Sequence, residues 1–173
     1  MSYFFNAVEV NLKSDAESNN FFLFLNLFYF VVTAPNAQVR VVDGDTILIG
    51  RDKYRLEGID APENRQECLY RGVQWKCGKE STKSVRKKIE VTSQLRCEGE
   101  RKDSYGRILA ICFSGGKDIN AWMVKNGWAL AYVKYSKKYL EEQRYAKKKG
   151  LGIWKGQFVL PWDWRRGKRL VSN

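Results

Sequence analysis

Three short motifs place acidic and basic side chains next to apolar, strand-like residues. They are V-V-D-G-D-T at 41–46, Y-R-L-E-G-I-D-A-P-E at 54–63 and D-S-Y-G-R at 103–107. An Asp-Gly turn between apolar runs predicts a β-hairpin, which can bring Asp45 near Asp60 at the end of the following strand. Pro62 forces a turn that can return Glu63 to the same place. The spacing therefore predicts a cluster of carboxylates.

The residue types in these motifs point to metal-assisted chemistry at a phosphate. Carboxylate oxygens are the ligands that hard cations such as Ca²⁺ and Mg²⁺ prefer. Histidine is absent from the chain, so His-ligated zinc, imidazole bases and Ser-His-Asp systems are excluded. Arg55 and Arg107 lie in the same motifs, and a guanidinium can bind a phosphate through two hydrogen bonds and stabilise its growing charge. Each arginine taken alone is more typical of a surface ion pair.

The chain as a whole carries a large positive charge. Its 173 residues include 31 Lys and Arg against 19 Asp and Glu, a formal charge of +12. Such an excess is typical of proteins that bind polyanions such as nucleic acids, although a soluble basic protein without such a partner has the same balance. The apolar content of 44% is sufficient for a folded core.

Residues 38–156 carry the pattern of one domain. Short β-rich segments predict five strands, at 39–42, 46–49, 54–59, 95–100 and 108–113, with a helix at 79–89 between the third and the fourth. Asp118 and Ser136 are predicted N-caps of two later helices, and Gly150 is the predicted end of the last one. This order predicts an α+β, β-rich fold: a five-stranded OB-type Greek-key barrel with about three helices. Residues 157–173 form an aromatic and basic C-terminal tail.

The N-terminal segment 1–37 differs from this domain. The apolar run F-F-L-F-L-N-L-F-Y-F-V-V at 21–32 is shorter than the roughly 20 residues that a membrane-spanning helix needs, and it has the length of a signal-peptide core. We therefore expect a signal peptide and a linker, and hence a periplasmic or secreted protein. The alternative is a membrane anchor formed by residues 21–32.

The four cysteines indicate the same compartment. They are even in number, lie inside the predicted domain and lack the spacing of a zinc site. Disulfide bonds are the preferred interpretation, against four reduced cysteines in a cytosolic protein. Three pairings are possible, and we favour Cys68–Cys77 with Cys97–Cys112, because the second pair brackets a predicted β-hairpin.

The joint arrangement of motifs resembles the staphylococcal nuclease, or thermonuclease, family over about residues 38–155. The resemblance rests on D-G-D-T, then R-L-x-x-I-D-x-P-E, then D-x-Y-G-R, then a helix ending in N-G-W-A and a basic helix ending in G-L-G-I-W. The four cysteines resemble those of the disulfide-bearing versions in Gram-negative bacteria. Family members have the OB barrel and are Ca²⁺-dependent phosphodiesterases that act on DNA and RNA.

The resemblance implies a role for each matching residue. Asp45 and Asp60 correspond to the metal carboxylates, and the Ala61 carbonyl to a further ligand of the Ca²⁺ ion. Glu63 corresponds to the proposed general base. The remaining matches are the phosphate-binding residues Arg55 and Arg107, and the aromatic residues near the nucleotide, Tyr105 and Tyr132.

These roles imply an endonuclease that acts on single-stranded or frayed nucleic acid. The protein is expected to be a monomer without an obligate protein partner. Two alternatives remain open. One is an OB-fold module that binds nucleic acid without catalysis, and the other is a membrane-anchored basic domain.

Overall fold

The computed structural model describes residues 38–91 and 94–170. The predicted signal peptide or anchor at 1–37 lies outside the described residues. No helix in the described ranges is long and apolar enough to cross a membrane.

The described chain is an α+β fold built on one main sheet. Its strands are β1 (Val39–Asp43), β2 (Thr46–Ile49), β3 (Asp52–Leu56), β4 (Ile59–Asp60), β5 (Cys68–Tyr70), β6 (Val73–Trp75), β7 (Leu95–Glu98), β8 (Ile108–Ser114), β9 (Lys117–Asp118) and β10 (Leu130–Ala131). Its helices are α1 (Cys77–Glu90), α2 (Ile119–Lys125), α3 (Leu140–Lys149), a 3-10 turn (Gly152–Lys155) and α4 (Pro161–Arg165).

The main sheet has the strand order β1-β2-β3-β8-β7, with β9 paired to β8. β3 and β8 are parallel, and the other neighbours are antiparallel. Two small two-stranded sheets, β10 with β4 and β5 with β6, complete the pairing among the described strands. No pairing joins β1 to β7 within the described residues, so the structure shows a β-rich sheet in OB-like order, and closure into a barrel stays a prediction.

Of the three predicted helix termini, two are confirmed and one is wrong. The Asp118 side chain accepts a hydrogen bond from the Ala121 amide at 2.9 Å and caps α2, and Gly150 ends α3 in the left-handed conformation at φ 61°. Ser136 does not cap α3, which begins at Leu140. Its hydroxyl instead accepts a hydrogen bond from the Lys138 amide, a local turn that competes with helix formation.

Two apolar clusters surround the region of the motifs. The larger one packs the main sheet against α1 and α2 and buries Ile47, Leu56, Ile59, Val85, Ile119 and Met123. The smaller one contains Leu130 and Ile153, together with Trp162 of α4. All four cysteines are paired, as Cys68–Cys77 and Cys97–Cys112, which is the pairing favoured from the sequence.

The described part of the aromatic and basic C-terminal segment packs on the domain. Leu69 and Gln157 exchange two backbone hydrogen bonds of 2.8 Å. The Gln66 side-chain amide donates to the Val159 carbonyl at 2.6 Å, and Pro161 at the start of α4 is buried. These contacts bring α4 next to β4 and the residues that follow it.

Candidate metal and phosphate site

The hairpin β1–β2 and strands β3 and β4 place Asp45, Arg55 and Asp60 together. Arg55 Nη2 lies 2.9 Å from Asp60 Oδ1 and 3.2 Å from Asp45 Oδ2. Arg55 Nη1 donates to the carbonyls of Leu56 at 2.9 Å and Ile59 at 3.0 Å. One buried guanidinium therefore joins two of the predicted metal carboxylates and is itself held by the backbone. Arg55 is not the surface ion-pair partner that its sequence alone suggested.

Strand register explains why these distant residues meet. Thr46 of β2 pairs with Arg55 of β3, which sets Asp45 beside the end of β3. The Leu56 amide donates to the Asp45 carbonyl at 2.8 Å. The Ala61 amide then donates to Asp45 Oδ2 at 2.7 Å, so Asp45 fixes the chain immediately after Asp60.

Negative charge is concentrated around this guanidinium. Burial raises the pKa of Asp60 to about 6, and the Asp45 charge adds to this effect, whereas hydrogen bonding to Arg165 and the charge of Arg55 oppose it. Burial and the Asp45 charge likewise raise the pKa of Asp43 to about 6. Carboxylates with raised pKa values gain from a further cation, because a positive charge nearby favours their ionised form.

Glu63 reaches the same cluster through an arginine that the sequence analysis did not predict. Arg165, the last residue of α4, donates through Nη1 to Glu63 Oε1 at 2.7 Å. It also binds both oxygens of Asp60, through Nη1 at 3.1 Å and Nη2 at 2.8 Å. These hydrogen bonds raise the pKa of Arg165 despite the opposing effect of its burial. Arg165 lies 105 residues from Asp60 in sequence, and the only signal was the basic and aromatic composition of the tail.

The side chains present fit a hard divalent cation. The available donors are carboxylate oxygens of Asp45, Asp60 and Glu63, without histidine or thiolate, which suits Ca²⁺ or Mg²⁺. When ionised, these three carboxylates and that of Asp43 carry two more negative charges than the guanidiniums of Arg55 and Arg165 can balance. Within the described residues, no group of three or more His, Cys, Asp or Glu side chains is placed so that it could hold a metal ion by itself. A cation here would therefore take part of its oxygen shell from water and from backbone carbonyls.

Arg107 lies close to the sheet but outside this ion-pair cluster. Its guanidinium binds Asp103 Oδ2 through Nε and Nη2, both at 2.7 Å. Burial opposes ionisation of Asp103, but the hydrogen bonds from Arg107 lower its pKa overall. Arg107 immediately precedes β8, whose Ile108 and Leu109 pair with Tyr54 and Arg55 of β3.

The two predicted aromatic residues have different surroundings. Tyr105 is 83% exposed, and the Arg107 guanidinium lies 5.5 Å from the centre of its ring. Tyr132 is stacked on Trp162 of α4, with ring centres 5.5 Å apart and planes 9° from parallel. Tyr105 is therefore open to a base, whereas one face of Tyr132 is covered. A cavity of about 260 Å³ lies beside that stack, lined in part by Lys134 and Arg166.

Comparison with known proteins identifies the family of this OB-like sheet and its cluster of carboxylates and arginines. The family model described as "Staphylococcal nuclease homologue" matches residues 53–156. The chain belongs to the staphylococcal nuclease family, as the sequence motifs implied.

Several known proteins are similar over most of this chain. A micrococcal nuclease of Shigella flexneri is 33% identical over 153 residues, covering 78% of this chain and 82% of the relative. An uncharacterized endonuclease of Haemophilus influenzae is 34% identical over 140 residues, covering 76% and 73%. The succinoglycan biosynthesis protein ExoI of Rhizobium meliloti is 40% identical over 123 residues, covering 69% of this chain. The aligned part is 64% of that relative, which is less than two thirds of its length.

Proposed function

We propose that this chain is a Ca²⁺-dependent nuclease that hydrolyses phosphodiester bonds in DNA and RNA. The observation that carries the proposal is the buried ion-pair group in which Arg55 joins Asp45 and Asp60. Membership of the staphylococcal nuclease family and relatives named nuclease and endonuclease support nuclease activity. The charge of +12 suits a polyanionic substrate.

In this proposal, Asp45, Asp60 and the Ala61 carbonyl would hold the Ca²⁺ ion. When bound, the ion would neutralise the phosphate oxygens and stabilise the charge of the displacement. Ca²⁺ suits this site better than Mg²⁺, because an open set of carboxylate and carbonyl oxygens lacks the rigid octahedral geometry that Mg²⁺ demands.

The remaining roles belong to side chains that reach the phosphate and the bases. Glu63 accepts the proton of the attacking water. Arg55 and Arg107 donate hydrogen bonds to the phosphate oxygens and stabilise their developing charge. Tyr105 and Tyr132 stack on bases, and this requirement favours single-stranded or frayed nucleic acid, whose bases are free to stack.

We expect the purified protein to cleave both single-stranded DNA and RNA in the presence of Ca²⁺, and to cleave them more slowly when Mg²⁺ replaces it. Gel electrophoresis of end-labelled strands measures the cleavage, and a gel-shift assay on the same samples measures binding. Binding without cleavage at any Ca²⁺ concentration would contradict the nuclease and favour the non-catalytic OB-fold module.

We also propose that the protein acts in the periplasm or outside the cell, since two disulfide bonds form and persist in oxidising compartments. The protein recovered from a non-cytoplasmic fraction is expected to contain no thiol that can be alkylated and to have lost about its first 34 to 37 residues as a signal peptide. Intact-mass measurement checks both expectations. A full-length cytosolic chain with four free thiols would overturn the localisation and leave the nuclease proposal untouched.

A further inference from the structure

Helix α4 contacts the candidate site at two points. Arg165 binds the carboxylates of Asp60 and Glu63, and Trp162, one turn earlier, stacks on Tyr132. In the proposed function, these carboxylates serve the cation and the attacking water, and Tyr132 serves a base. One short helix therefore contacts both a cationic and an aromatic part of the proposed substrate site.

The Asp60 oxygens already have guanidinium partners. Oδ1 accepts hydrogen bonds from Arg55 at 2.9 Å and from Arg165 at 3.1 Å, and Oδ2 accepts one from Arg165 at 2.8 Å. The Asp60 side chain is fully buried, so it has no second exposed face to offer. The hydrogen bonds from Arg55 and Arg165 occupy most of the roughly four lone-pair sites of this carboxylate, so a cation that coordinates Asp60 competes with the arginine donors.

Arg165 is the arginine that can leave. The Arg55 side chain is 11% exposed and is also bonded to two backbone carbonyls. The Arg165 side chain is 40% exposed, and its guanidinium hydrogen bonds go to the carboxylates of Asp60 and Glu63. Displacing Arg165 moves its guanidinium into water without breaking a backbone hydrogen bond.

The packing of the C-terminal segment keeps Arg165 near the site when it is displaced. Pro161 is buried, and the Val159 carbonyl is held by the Gln66 side chain. A tethered group competes at a high effective concentration, because its rebinding is intramolecular. A single arginine on this segment can therefore lower the apparent affinity of the site for a free cation.

We propose that Arg165 is an internal competitor of the divalent cation, bound between Asp60 and Glu63 when the cation is absent and displaced when it binds. Arg165 thus sets the cation concentration at which the site fills. The inference rests on the proposed cation site, and it extends that site to the C-terminal helix.

The test compares Arg165→Gln with Arg166→Gln. Both variants remove one positive charge from adjacent positions, but the Arg166 side chain is 73% exposed and its ion-pair partner is Asp163, at 3.8 Å. Isothermal titration of CaCl₂ into the full-length protein measures binding without any substrate. We expect Arg165→Gln to bind Ca²⁺ at least about tenfold more tightly than the wild type, within the usual range of coupling between two ligands. Arg166→Gln should stay close to the wild type.

Each other outcome of the titration contradicts the competitor role. Equal affinity in Arg165→Gln and the wild type, or equal tightening in both variants, would leave only a general charge effect. Weaker binding in Arg165→Gln would make Arg165 a positioning residue that holds the carboxylates for the cation, and no binding by any of the three proteins would remove the cation site. Cleavage assays on the same proteins test the nuclease separately. If the wild type cleaves nucleic acid but Arg165→Gln does not change the affinity for Ca²⁺, the competitor role of Arg165 is refuted and the nuclease proposal stands.

Discussion

Glu63→Gln lowers the turnover number at least about 100-fold at saturating Ca²⁺, which is the scale of a lost general base. The amide is the same size as the carboxylate but cannot accept the proton of the attacking water. The backbone at this position is already fixed, because the Glu63 amide donates to Gln66 Oε1 at 3.2 Å and the Glu63 carbonyl accepts from the Gln66 amide at 2.7 Å. Substrate cleavage measured at several strand concentrations separates turnover from KM.

The matched control for this prediction is Glu90→Gln. Glu90 is exposed at the end of α1, so the same change in charge and size is made away from the candidate site. We expect its turnover and thermal midpoint to equal those of the wild type. Turnover of Glu63→Gln within a factor of about three of the wild type would show that Glu63 is not the base, since such a factor is far below the usual effect.

Arg107→Ala also lowers turnover at least about 100-fold, the usual cost of removing a donor that stabilises the transition state. In the structure, its guanidinium is bound to Asp103, which orients the side chain before substrate arrives. The same observation predicts a small effect on stability, because an ion pair near the surface contributes roughly 0–1 kcal/mol. Cleavage kinetics and a thermal melt on the same preparation measure the two effects separately.

Arg96→Ala is the control for Arg107→Ala. Arg96 is 71% exposed on β7 and pairs with Glu98 on the same strand, so the variant removes an arginine from the same sheet without touching the motifs. We expect it to retain wild-type turnover. If Arg107→Ala also retained it, Arg107 would be an ordinary ion-pair residue, as its sequence alone suggests.

Local signals predicted much of the fold. The Asp-Gly turn and the Asp118 cap act over a few residues, and the corresponding hairpin and helix start occur. The strand predicted at 54–59 is interrupted, because a turn at Glu57 and Gly58 divides it into β3 and β4. The prediction of Ser136 as a helix N-cap was wrong, because a serine hydroxyl that accepts a hydrogen bond from the amide two residues later can form a local turn as readily as a helix cap. The hairpin β5–β6 was also missed, since its short strands lie in a polar stretch that predicts only turns.

The site could be predicted only as far as its motifs extend. The β1–β2 turn, β3 and β4 are neighbours, and they hold Asp45, Arg55 and Asp60 respectively. The apolar periodicity and the Asp-Gly turn in the sequence predict that these side chains lie close together. Arg165 and Trp162 reach the same place through packing of residues 157–165 on the smaller apolar cluster. Such tertiary contact leaves no spacing signal in the sequence. The partner of Arg107, by contrast, was present in the motif D-S-Y-G-R, since Asp103 is only four residues away.

The proposed function requires a cation held at Asp45 and Asp60 for cleavage of nucleic acid. One continuous assay of single-stranded DNA cleavage tests it most directly, with Ca²⁺ present at the start, EDTA added in excess during the reaction, and Ca²⁺ restored above the chelator. We predict that cleavage stops on addition of EDTA and resumes when Ca²⁺ is restored, because the two disulfide bonds and the apolar clusters keep the domain folded meanwhile. Cleavage that continues at its full rate in EDTA would contradict the claim.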